Sequence, residues 1–105
     1  MSNLRRIKEM VSGGESERVE FKRSTGQRSE AAKAVCGMLN GLGGFVLFGV
    51  TNKCEIVGQQ VSAKTLEDIA AELRKIEPPA FPEIETVALE SGTSLIVLNV
   101  PGRQG

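Results

Sequence analysis

Glu15 and Glu20 are the acidic pair best placed to do chemistry in this chain of 105 residues. Glu20 falls within Val19-Glu20-Phe21-Lys22, which alternates apolar and charged residues as a half-buried strand does. Glu15 stands just upstream, so the two carboxylates could converge near the start of that strand. Carboxylate oxygens suit Mg²⁺ or Mn²⁺, and a metal held there could assist phosphodiester hydrolysis by stabilising charge and activating water. Two glutamates at this spacing also describe an ordinary solvated surface, where glutamate is commonly found.

The second group with chemical potential is basic: Lys22, Arg23, Arg28 and Lys33, with Arg5 and Arg6 upstream. Lys and Arg on one face bind phosphates, which supply much of nucleic-acid affinity. Glu17, Glu20 and Glu30 are interspersed among them. Thirteen basic residues balance thirteen acidic ones overall, so no global field draws the protein to a polyanion and any such site must be local. Four Phe and no Trp or Tyr leave few rings for stacking on unpaired bases.

Other chemistries are excluded. There is no histidine, hence no imidazole base, nucleophile or metal ligand. Cys36 and Cys54 form no CxxC pair and read as free thiols. Gly41-Leu42-Gly43-Gly44 follows a predicted helix and precedes a predicted strand, the reverse of a dinucleotide loop, and no GxxxxGK[ST] occurs. No cofactor is expected for this domain, and ATP only through a downstream domain outside it. No apolar run approaches the ~20 residues that span a bilayer, and no signal-peptide core opens the chain, so no membrane partner and a reducing cytoplasm are expected.

The elements that must position these residues follow from periodicity. Leu4, Ile7 and Val11 predict a short helix ended by Gly13-Gly14, followed by the strand Val19–Lys22 with Glu20 and Lys22 facing away from the core. Ser29 is placed to cap a helix running to Asn40, with Ala32, Val35, Cys36 and Leu39 on its apolar stripe. Phe45–Val50 reads as a central strand covered on both faces. Thr51–Cys54 reads as a turn and Glu55–Val57 as a short returning strand. A helix from about Ser62 carries Leu66, Ile69, Ala70, Leu73 and Ile76 and ends at Pro78-Pro79. Ile84–Leu89 and Leu95–Val100 form a hairpin around Ser91-Gly92. The expected fold is α+β: a mixed sheet with two main helices on one side plus the short N-terminal helix, all in one domain over residues 1–105. Its ending at Val-Pro-Gly-Arg-Gln-Gly suggests an N-terminal fragment of a longer protein.

Taken together, these segments resemble the Schlafen-type AlbA domain. Glu15-Ser16-Glu17-Arg18-Val19-Glu20-Phe21-Lys22 is similar to its ExxxxEFK opening. Met38-Leu39-Asn40-Gly41-Leu42-Gly43-Gly44 looks like its A-N-T-x-G-G segment, Phe45–Val50 like its G-G-x-L-x-I-G-V strand, and Glu55-Ile56-Val57-Gly58 like its x-I-V-G return. The resemblance covers about residues 12–100 and implies an Alba-like α/β sandwich. It implies placement at the N-terminus of bacterial or archaeal transcriptional regulators or RecG-like, helicase-related proteins. Animal Schlafen proteins that share the domain act as metal-dependent endoribonucleases through three acidic residues. Two align with Glu15 and Glu20; the third position, in the turn after the Gly-Val strand, is Asn52 here. An amide can ligate a metal but brings no charge.

The resulting expectation is a non-catalytic module that binds DNA or RNA through Lys22, Arg23, Arg28 and Lys33. A Mg²⁺- or Mn²⁺-dependent ribonuclease using Glu15, Glu20 and Asn52 is the first alternative. A protein-interaction or homodimerisation module is the second.

Overall fold

A computed structural model describes residues 3–77 and 81–103. The elements run α1 (Asn3–Ser12), β1 (Val19–Lys22), a 3₁₀ turn (Thr25–Gln27), α2 (Arg28–Leu39), β2 (Gly44–Phe48), α3 (Ala63–Leu73), β3 (Glu83–Ala88) and β4 (Ser94–Val100). The strands make one sheet in the order β1-β2-β4-β3. β1 runs parallel to β2, and β4 is antiparallel to both β2 and β3. A parallel neighbour requires a crossover, and α2 provides it.

The sheet is covered on both sides because its inner strands are apolar at successive positions. Val46, Phe48, Ile96, Leu98 and Val100 face α2 and α3, packing with Ala31, Val35, Met38, Ile69, Leu73 and Ile76. Leu47, Val50, Leu95 and Val97 face the other way, with Phe21 and Val87, against Ile7 and Val11 of α1. Each such side chain taken fully out of water contributes roughly 1.5–3 kcal/mol, so stability is concentrated in β2 and β4. The expected mixed sheet with two main helices on one side and a short N-terminal helix is therefore the observed fold.

Several details differ from the expectation. The stripe of α2 is centred on Ala31, Val35 and Met38, with Cys36 and Leu39 only partly buried beside it. Apolar residues occupy so much of α2 that a stripe through Ala32 also fits the period, and contact with α3 and the sheet selects Ala31 in its place. Ser29 is not a cap. Ser24 caps the 3₁₀ turn instead, accepting the Gly26 N–H, and the chain passes directly from that turn into α2. α3 is capped by Ser62 in a reciprocal pair with Thr65 and stops at Leu73, while Ile76 is buried from the turn beyond it. Pro78-Pro79 lies outside the described residues.

The returning strand at Glu55–Val57 is reduced to a single bridge between Val50 and Ile56. Gly49 is the cause: at φ 104° it leaves extended geometry, and its carbonyl accepts the N–H groups of both Val57 and Gly58. Glu20 and Lys22 also differ. Their register opposite Val46 and Phe48 turns them toward the α2 face rather than away from a core, leaving both partly buried.

Gly44 allows β1 and β2 to meet. A Cβ there would lie 2.2 Å from the Arg18 carbonyl oxygen, which accepts the Phe45 N–H at 2.8 Å. The two edges of the sheet are unlike. Along β1, the N–H groups of Val19, Phe21 and Arg23 are taken by the Ser16 carbonyl, the Glu15 carboxylate and the Gln27 side chain. Along the outer side of β3, no backbone bond to another segment occurs among the described residues.

Candidate functional site

The outer end of β1 opens onto a cleft of about 460 Å³ lined by Glu15, Glu20, Lys22, Arg23, Gln27 and Asn52, with Phe21, Val50 and Thr51 at its base. The turn after α1 brings Glu15 here. Gly14, at φ 77°, reverses the chain, and Ser16 and Val19 exchange backbone hydrogen bonds in a tight loop. Glu15 is thereby laid along β1, where its Oε2 accepts the Phe21 N–H at 2.9 Å. Glu20, on the strand itself, meets the Lys22 Nζ at 3.1 Å, with side chains 31% and 13% exposed. Both are sheltered enough for the pair to be better defined than a freely solvated one.

Asn52 reaches the cleft from the turn that follows β2. Thr51 builds that turn. It is 6% exposed, and its Oγ1 accepts the N–H groups of Lys53 and Glu55, both at 3.2 Å. Its hydroxyl donates to Glu55 Oε1 at 3.3 Å, so the Glu55 carboxylate is bound within the turn. Cys54 closes the turn at φ 64°, in the left-handed region that disfavours side chains. Both cysteines are free thiols.

The two acidic candidates and Asn52 are thus gathered into one cleft with Lys22 and Arg23. The rest of the basic group is dispersed. Arg28 donates from Nη1 to the Thr25 carbonyl at 3.0 Å, bracing the 3₁₀ turn, and does not line the cleft. Lys33 is exposed on α2. Arg5 and Arg6 belong to α1 on the opposite face, where Arg6 pairs with Glu85 at 3.7 Å. The Arg23 guanidinium makes no hydrogen bond or ion pair among the described residues, leaving its donors available to the cleft.

The donor set does not fit a resident Mg²⁺ or Mn²⁺. One Glu15 oxygen is committed to a backbone N–H, an ammonium group already neutralises Glu20, and Asn52 carries no charge. Among the described residues no group of three acidic, Cys or His side chains could hold a metal ion.

Periodicity did not reveal Gln27, Thr51 or Gln59, which hold the cleft's walls. Their roles depend on side-chain amides and a hydroxyl meeting the backbone across loops, and no regular spacing marks that. No helix among the described residues is long and apolar enough to cross a membrane.

No curated protein matches the chain. Among solved structures it is similar to the N-terminal domain of a Nitrosomonas europaea protein named as related to the ATP-dependent DNA helicase RecG, determined in solution by NMR. The two are 23% identical, the match covers 99% of this chain and 76% of that one, and the TM-score is 0.74. At that identity the likeness shows the fold. The family model described as Schlafen, AlbA_2 matches residues 15–104, a span that opens on Glu15 and takes in every residue lining the cleft. The chain belongs to the Schlafen AlbA_2 family.

Proposed function

We propose that this domain is a nucleic-acid-binding module, non-catalytic by itself, serving a larger regulatory or helicase-related protein. The observation that carries the reading is the cleft beside β1, lined by Lys22, Gln27, Asn52 and Arg23, whose guanidinium makes no hydrogen bond or ion pair among the described residues. Guanidinium and amide groups offer the donors that a phosphodiester backbone accepts. Phe21 is buried, so the cleft offers contacts to phosphate and sugar rather than a stacking platform. Family membership supports the reading, as does the fold shared with the domain of a protein named for a DNA helicase. ATP would be handled by another part of such a protein.

Fluorescence anisotropy with a labelled DNA duplex and a labelled RNA, each at two salt concentrations, tests this. Binding should weaken steeply with salt, and Arg23→Ala should lower the slope of log K against log salt by about one. Absence of binding to either nucleic acid at low salt would overturn the reading for this domain.

A second reading, metal-dependent RNA cleavage, is favoured by the convergence of Glu15, Glu20 and Asn52 on one cleft. The commitments of both carboxylates weigh against it. RNA cleavage that stops with EDTA and with Glu20→Ala would establish it over the binding reading.

A further inference from the structure

Gln59 does not line the cleft, yet it holds the element that shapes one wall. Its backbone is fixed to the sheet: the N–H donates to the Ser94 carbonyl and the carbonyl accepts the Ser94 N–H, both at 2.8 Å. From that anchor its side-chain amide spends both ends on Thr25. Oε1 accepts the Thr25 N–H at 2.8 Å and Nε2 lies 3.1 Å from the Thr25 Oγ1. Nε2 also donates to the Gln60 carbonyl at 3.1 Å, which fixes the amide's orientation. Thr25 opens the 3₁₀ turn, and Gln27 closes it. From Gln27, Oε1 accepts the Arg23 N–H at 3.0 Å. A continuous chain of directional contacts therefore runs from the start of β4 through Gln59, Thr25 and Gln27 to Arg23.

We propose that Gln59 is the positioning residue of the cleft: it clamps the 3₁₀ turn to the sheet and, through Gln27, holds the backbone of Arg23 so that the guanidinium faces the ligand. The chemistry requires an acceptor toward the Thr25 N–H and a donor toward its hydroxyl, which the primary amide of glutamine supplies. Without the clamp, the turn's remaining hydrogen bonds among the described residues are to its chain neighbours Arg23, Ser24 and Arg28, and Arg23 loses its tie to the sheet through Gln59. The consequence for binding rests on the nucleic-acid reading; the clamp itself does not.

Hydrogen exchange by NMR on the full chain, together with anisotropy using a labelled DNA duplex and a labelled RNA, separates the two. Gln59→Ala should speed exchange at the Thr25 and Arg23 amides by about tenfold or more while the amides of β2 and β4 keep their rates. Gln27→Ala should speed exchange at Arg23 alone. In binding, Gln59→Ala should lower the salt slope as Arg23→Ala does, and the double variant should bind no more weakly than Arg23→Ala. An Arg23 amide unchanged in Gln59→Ala overturns the proposal. If Gln59→Ala fails to fold, an unchanged Arg23 amide in Gln27→Ala overturns it equally. If the wild-type protein binds neither nucleic acid, the proposed function fails while the exchange rates still decide the clamp.

Discussion

The carboxylate of Glu15 accepts the backbone N–H of Phe21 at 2.9 Å, so an acidic residue that the sequence offers as a metal-ligand candidate serves here to complete the edge of a strand. Phe21 is itself buried, and its N–H points away from β2. Glu15→Gln retains an oxygen acceptor and should leave stability nearly unchanged. Glu15→Ala strands the donor and should cost about 1–3 kcal/mol in urea denaturation. Combined with Gln27→Ala, which frees the Arg23 N–H, it should also produce concentration-dependent association by light scattering, since bare strand edges pair.

Asn52 lines the same cleft as the two glutamates, so Asn52→Asp adds a third carboxylate to it. Calorimetric titration with Mn²⁺ should show affinity raised by about tenfold or more over the wild-type protein, because ligand charge sets divalent affinity. Adding Lys22→Met to this variant releases Glu20 from its ammonium partner and should raise affinity further. If both variants titrate like wild type, the cleft is not a latent metal site.

Thr51 organises the turn that carries Asn52 through contacts of one hydroxyl with two backbone N–H groups. Thr51→Val keeps the shape and removes the oxygen, stranding partly buried donors. A loss of about 1–3 kcal/mol is expected, measured by thermal or urea unfolding. Ser at this position should recover most of it.

Gly44→Ala places a Cβ against the Arg18 carbonyl oxygen at 2.2 Å, closer than any real contact, and the atoms it meets are backbone that cannot rotate away. Strand β1 has to shift against β2, and Glu20, Phe21 and Lys22 of the cleft shift with it. Destabilisation of about 3 kcal/mol or more is expected, with a midpoint shift in urea that far exceeds that of Gly37→Ala, where open space surrounds the added methyl.

The fold was legible where burial is regular. Phe45–Phe48 and Leu95–Val100 are apolar at nearly every position because the sheet is covered twice, and the helices carry stripes that packing requires. Glu15, Glu20 and Asn52 were legible as a group only through their family positions, since they come together across a loop, a strand and a turn. What escaped was the scaffolding between regular elements. Arg28 is drawn to the Thr25 carbonyl of a 3₁₀ turn that no period announces, and Lys33 stands exposed on α2, so neither joins Lys22 in the cleft. Gln59 meets Thr25 because a glycine-broken segment returns beside β4, and pairwise geometry of that kind leaves no period in the sequence.

The unequal edges of the sheet leave its two sides unlike in what they offer to a further strand. With β1 closed by Ser16, Glu15 and Gln27, the strand edge left open among the described residues is Glu83–Ala88, near the exposed Phe81 and Ile84. That edge is about 14 Å from β1 at the usual interstrand spacing. A strand added there would leave the cleft unobstructed, because β1 and β3 are the two outermost strands of the sheet.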